Sequence, residues 1–165
     1  MKGLTPIARL RSLLDAAVGD RAIEAIGGRL AGLGWATVEL DRAARELGAA
    51  LDLPADRFLP ANPSSSLGAR CLVSLDALEP GLAVVLLEPS TEGRLAASLA
   101  RHGEGPAAVW LEVGDLAAAV TALRRASVAS SVERPGPIGV ERLLLEGPIH
   151  GPHRLVVERP GTIRA

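Results

Sequence analysis

Aromatic side chains are almost missing from this chain: no tyrosine, one phenylalanine (Phe58) and two tryptophans (Trp35 and Trp110) in 165 residues. Platforms on which bases could stack are therefore nearly absent, which argues against single-strand nucleic-acid binding. Charge of one sign is missing too. The formal net charge is -1, and only Arg124 and Arg125 are adjacent basic residues, so no basic patch offers itself to a phosphate backbone. Cys71 is the single cysteine. It excludes an intrachain disulfide and fits a reducing compartment. No apolar run approaches the roughly twenty residues that span a bilayer. Arg9 and Arg11 are not followed by the apolar stretch and small-residue cleavage site of a signal peptide, so the expectation is a cytoplasmic protein with neither a membrane nor a nucleic acid as partner. There is no phosphate loop, dinucleotide fingerprint or nucleophile elbow.

What the chain does have is aliphatic residues and repetition. Hydrophobic residues make up 48% and charged residues 22%, so a core of Leu, Val, Ile and Ala is expected. A single domain of this length buries roughly 70% of its unfolded surface. Trp35-Ala36-Thr37-Val38 leads into Asp41-Arg42-Ala43-Ala44, and Trp110-Leu111-Glu112-Val113 leads into Asp115-Leu116-Ala117-Ala118. Arg70-Cys71-Leu72-Val73 is echoed by Arg142-Leu143-Leu144-Leu145, and Val84-Val85 by Val156-Val157. Self-similarity at about seventy residues points to a duplicated unit and two equivalent sheets facing each other.

Thr5 and Pro6 predict the start of a helix over 5–18, and Asp20 that of a second helix to about Leu30. The first repeat then reads as a strand at 33–38, a helix at 41–51, a connection or short strand at 53–58, a loop at 60–66, and strands at 69–75 and 82–88. A linker helix is expected after Ser90 or Thr91. The second repeat reads as a strand at 107–113, a helix capped by Asp115, a short strand at 127–132, a loop through Pro135-Gly136-Pro137, and strands at 140–146 and 153–158. The order βαβββ, twice, predicts an α+β protein with helices on one face of a mostly antiparallel sheet. The expected segments are an N-terminal helical extension (1–32), modules at 33–89 and 106–160, and a linker helix at 90–105. The opposite face of the sheets would form a cup.

The stretch Leu86-Leu87-Glu88-Pro89, then Arg101-His102-Gly103-Glu104-Gly105, then Val109-Trp110-Leu111-Glu112-Val113-Gly114-Asp115 resembles the vicinal oxygen chelate superfamily. That group includes glyoxalase I, bleomycin-resistance proteins and methylmalonyl-CoA epimerase, and the chain is most similar to the epimerase-like branch. The resemblance extends over 33–160. It implies two βαβββ modules in pseudo-twofold relation, a cupped mixed sheet, and a homodimer. It also implies a divalent metal held by four strands. The matching positions here are Gly32 or Leu33, Val85, Ala108 and Val157, none of which can ligate. The resemblance therefore predicts the fold without a metal or other cofactor.

Side chains two apart on a strand share a face. If Ala108 faces the cup, so do Trp110 and Glu112, while Val109, Leu111 and Val113 pack under the helices. The repeat then places Trp35 and Thr37 in the cup, with Val85, Leu87 and Val157. Arg70 and Arg142 occupy equivalent points facing either the cup or solvent. Both tryptophans could instead be ordinary core residues. Glu112 is the candidate base, since a buried carboxylate needs a partner and can have a raised pKa; the alternative is an ion pair with Arg142 or Arg70, or a side chain that reaches the rim. His150 and His153, in a Gly/Pro turn, read as exposed turn residues, His102 and Glu104 as solvated linker residues, and Cys71 as buried and inert. These features predict a protein that binds a small organic molecule in an apolar cup, sequestering or sensing it. Two readings stand beside it: a metal-independent isomerase or lyase acting on a small carbonyl or acyl compound, and a structural or partner-binding module with a filled cup.

Overall fold

The computed structural model describes residues 3–145 and 151–159. Two helices come first, α1 (Pro6–Val18) and α2 (Arg21–Ile26). Thr5 caps α1 by accepting from the Ala8 N–H at 3.2 Å, and Pro6 follows it in the first turn. The second helix ends four residues before its expected end at Leu30, because Gly27 turns the backbone to φ 61 and the strand begins at Arg29.

The first module consists of β1 (Arg29–Ala36), α3 (Leu40–Ala50), a 3-10 turn (Ala55–Arg57), β2 (Leu59–Ser64), β3 (Ala69–Glu79) and β4 (Leu82–Pro89). Helix α4 (Arg94–His102) links it to the second module: β5 (Gly105–Val113), α5 (Leu116–Arg125), β6 (Arg134–Pro135), β7 (Val140–Leu144) and β8 (His153–Glu158). The eight strands of the described residues form one curved mixed sheet in the order β2-β3-β4-β1-β5-β8-β7-β6. That order is palindromic about the β1/β5 pair, as a duplicated βαβββ unit requires. Antiparallel β1 and β5 meet at the centre, each flanked by its parallel partner, β4 or β8.

Two expectations fail at the sheet edges. Pro60 to Ser66 reads as a loop, yet β2 runs through Pro60 and Pro63 and pairs with β3. An edge strand tolerates proline because one side of its backbone has no ladder partner. Conversely, the strand expected at 127–132 reduces to a single bridge, Ser130 to Leu144, and β6 appears later as two residues. Pro135, Gly136 and Pro137 keep that edge short.

The sheet separates two apolar cores. The helix side gathers Leu10 and Leu13 from α1, Leu47 from α3, Leu116 and Leu123 from α5, and Leu33, Leu86, Val109 and Leu111 from the sheet. Val109, Leu111 and Val113 lie under the helices, as alternation along β5 predicts. The cup side gathers Val85, Leu87, Ala108, Trp110, Leu155 and Val157. Among the described residues, no helix is long and apolar enough to cross a membrane.

Candidate functional site

Five of the ten residues singled out for the cup meet there in one buried cluster: Val85, Leu87, Ala108, Trp110 and Val157, with Cys71 and Leu155 beside them. Glu112 shares their face at the strand's end, as its alternation with Trp110 requires. The cup is not an empty bowl. Leu95 of α4, itself wholly buried, and Leu67 close over the sheet, and Leu99 and Ile138 pack against them. Trp110 is 0% exposed.

Trp35, Thr37, Arg70 and Arg142 do not face the cup. Trp35 belongs to the helix-side core, with the Arg9 guanidinium 5.1 Å from its ring centroid. The reason is a slip of one residue. The tryptophans are 75 apart, but the N-cap residues Glu39 and Asp115 are 76 apart, and so are Leu33 and Val109, which pair across the dyad. The structural equivalent of Trp110 is therefore Gly34, and a one-residue slip turns every side chain to the other face. Thr37 is wholly buried and donates to Glu104 Oε1 at 2.6 Å. Arg70 pairs with Glu88, and Arg142 donates to the Ser131 carbonyl at 2.6 Å and to Glu133. Both arginines alternate with cup residues, Cys71 and Leu143, and so lie on the opposite face.

Glu104 is not a solvated linker residue. It accepts from Thr37, from the Val38 N–H at 2.8 Å and from Arg42, tying the start of β5 to the entrance of α3. Burial pushes its pKa up, but the hydrogen bonds from Arg42, Thr37 and Val38 outweigh that and hold it at about 2. A depressed carboxyl stabilises the fold above its unfolded pKa and loses that contribution as pH falls through the folded value. Glu104→Gln should therefore cost about 1 kcal/mol at pH 7. The difference in melting temperature from the wild type should vanish near pH 2, and a pH-independent difference would contradict this.

Two polar spots break the apolar cup. The first is at its mouth. Glu112 Oε1 accepts from Arg159 Nε at 2.7 Å and Arg29 Nη2 at 3.2 Å. The raised pKa of a candidate base is corrected, and the ion-paired alternative holds with other partners than Arg70 or Arg142, at the mouth of the cup. The Arg159 hydrogen bond, with that of Arg29, outweighs burial and lowers the pKa. Beside Glu112 opens a cleft of about 270 Å³ whose walls include Ala31, Val73, Ala83, Pro137 and Ile138 and whose rim carries Arg29 and Asp76.

The second spot was not found from the sequence. Glu141 of β7 is 0% exposed. Its Oε2 accepts from Trp110 Nε1 at 2.9 Å, and its Oε1 from the Ser64 hydroxyl and, at 3.4 Å, the Ser66 N–H. Burial raises its pKa despite those donors. The same surroundings push the Cys71 thiol up to about 12, so it stays a thiol. Glu141 joins the two ends of the sheet, since Ser64 lies on β2, and the Ser65 N–H donates to the Pro135 carbonyl at 3.0 Å alongside. Alternation could not single it out, because both faces of β7 continue into leucine, Leu143 and Leu144.

The positions matched to a metal site do not fit a metal. Val85, Ala108 and Val157 are buried aliphatic residues. Leu33 faces the helices, and Gly32 offers no side chain. Among the described residues, no three His, Cys, Asp or Glu side chains group together. His153 is not an exposed turn residue: it opens β8, its Nε2 is buried without a partner, and burial lowers its pKa. His150 lies outside the described residues.

No family model and no curated protein matches the chain. Solved structures do. Methylmalonyl-CoA epimerase from Mycobacterium tuberculosis aligns at TM-score 0.69 and 20% identity, covering 84% of this chain and 91% of that one. A hypothetical protein from Bacillus halodurans aligns at 0.65 and 20%, covering 84% and 99%. Streptomyces coelicolor methylmalonyl-CoA epimerase, in complex with 2-nitronate-propionyl-CoA, aligns at 0.65 and 21%, covering 81% and 98%. These likenesses show the fold.

Proposed function

We propose that this chain binds a small organic molecule, without a metal, in the cleft that leads from Glu112 into the cup. The cleft itself carries this reading. It has aliphatic walls, a charged rim and a volume of about 270 Å³, near the lower end of small-molecule sites. The homodimer that the resemblance implies and the cytoplasmic location expected from the sequence belong to the same proposal. Titrating short-chain ketones and acyl thioesters against the fluorescence of Trp110, in a Trp35→Phe background, tests it. Saturable shifts support the reading. No shift with any compound would favour the filled-cup structural module, which the wholly buried Leu95 and Trp110 already recommend.

A second reading, metal-independent isomerisation or lysis of a carbonyl or acyl compound, is favoured by the likeness to epimerases and by Glu112 lining the cleft. Glu112 would abstract a proton only after yielding its arginine partners, since they hold it as a weakly basic carboxylate. Under this reading Glu112→Gln lowers turnover by at least about 100-fold while melting within a few degrees of the wild type, because Arg29 and Arg159 stay solvated. Unchanged turnover in that variant would remove Glu112 from the chemistry.

A further inference from the structure

Glu112 stands opposite Arg29 at one end of the central β1/β5 pair. At the other end, where Ala36 meets Gly105, a second hollow of about 150 Å³ lies between the N-terminal extension and α4. Arg9 and Leu13 of α1 line it, with Ser98 and the exposed His102 of α4. It shares no wall residue with the cleft beside Glu112. Among the described side chains, four arginines are half-buried: Arg9, Arg42, Arg142 and Arg154. Arg42 pairs with Glu104, Arg142 with Glu133 and Arg154 with Asp20. Arg9 meets no carboxylate among the described residues. What holds it is the Trp35 ring, 5.1 Å from the guanidinium to the centroid, and the backbone of Gly105, against which Arg9 Nη2 leaves no room for a Cβ. Gly105 is itself a wall of the hollow, so the guanidinium end of Arg9 lies there, and not only its stem. Ring and glycine fix the cation in place, but neither neutralises it. Drawing a cation partly out of water without a counterion is costly. A guanidinium held by its face keeps its in-plane N–H donors for an oxyanion.

We propose that this hollow binds a short aliphatic monocarboxylate, with Arg9 donating to both carboxylate oxygens. The guanidinium fork matches that pair of acceptors. Ser98, half-buried on α4, brings a hydroxyl to the same hollow. The remaining walls set the rest of the ligand. Leu13, Ala36, Pro106, Ala107 and Pro152 are aliphatic, so they suit an alkyl tail and oppose a second charge. Volume sets the size: a cavity of about 150 Å³ holds benzene, and butyrate is comparable. The site gives the N-terminal extension a task that the repeat does not, since without α1 it has no guanidinium. It does not depend on the ligand proposed for the cup.

The probe is sodium butyrate, titrated at neutral pH and constant ionic strength into the isotope-labelled full chain while the two indole N–H resonances are followed by NMR. Trp35 lies against Arg9 and Trp110 belongs to the other core. The Trp35 resonance should therefore shift saturably while that of Trp110 stays in place. Butyramide, of the same shape without the charge, should bind at least about tenfold more weakly. Inorganic phosphate should also bind more weakly than butyrate. Arg9→Gln should lower butyrate affinity at least about tenfold, with an unmoved Trp110 resonance reporting an intact fold. Equal affinity for butyrate and butyramide, or equal butyrate affinity in the wild type and Arg9→Gln, overturns the site. Phosphate binding as tightly as butyrate overturns the monocarboxylate class. If Arg9→Gln does not fold, Ser98→Leu decides, because it fills the hollow from α4 and leaves Arg9 on Trp35; unchanged butyrate affinity in that variant overturns the proposal. So does the absence of any saturable shift in the wild type, and none of these results touches the cleft beside Glu112.

Discussion

Trp110→Ala should cost about 3–5 kcal/mol in denaturant unfolding at pH 7. The indole is wholly buried, and Gly32 and Gly34 beneath it leave nothing larger than backbone to relax into the space. The substitution also strips Glu141 Oε2 of its donor, and an unmet buried acceptor adds about 1–3 kcal/mol. Trp110→Phe separates the two contributions. It retains most of the ring volume and loses the N–H with the rest of the five-membered ring, so about 1–3 kcal/mol should remain. Trp35→Ala supplies the contrast, because that ring lies under Arg9 in the other core. Trp35→Ala should leave ligand binding in the cup intact, and loss of binding on changing Trp35 but not Trp110 would contradict the assignment of faces.

Gly34→Val should destabilise by more than about 3 kcal/mol, beyond the ordinary cost of overpacking. β-Propensity points the other way, since valine suits a central strand better than glycine by up to about 1 kcal/mol. Packing decides the sign. The added Cβ alone would stand 2.9 Å from the Ala108 Cβ, Leu87 Cδ1 and Trp110 Cζ3. Those atoms belong to β4 and β5, the two strands that flank β1 on either side, so they cannot all retreat without moving the sheet. Gly34→Ala should show a milder loss in the same direction. A stabilised Gly34→Val would mean that the indole does not lie over β1.

The fold was legible because duplication makes one pattern testify twice. The order of elements follows from the repeat, from caps such as Thr5 and Asp115, and from glycine and proline stops. Faces were harder. The echoes Val84-Val85 with Val156-Val157 and Arg70 with Arg142 are 72 apart, while the structure relates Ala83 beside Gly32 to His153 beside Ala108 at 70. An even slip preserves the face, so Val85 and Val157 land in the cup and both arginines stay on a common side. The tryptophan echo slips by one, and Trp35 turns away. The candidate site suffered most because it depends on long-range pairing. Arg29 and Arg159 approach Glu112 from 83 and 47 residues away, and Ser64 reaches Glu141 from 77. Nothing local in the sequence announces such partners.

Native mass spectrometry of the freshly purified full chain tests the central claim, an apolar, metal-free cup that holds a small organic molecule. The account predicts the bare chain or its dimer accompanied by an organic adduct of a few hundred daltons at most, and no metal in stoichiometric amount. A divalent ion at one per chain, surviving desalting, would contradict it.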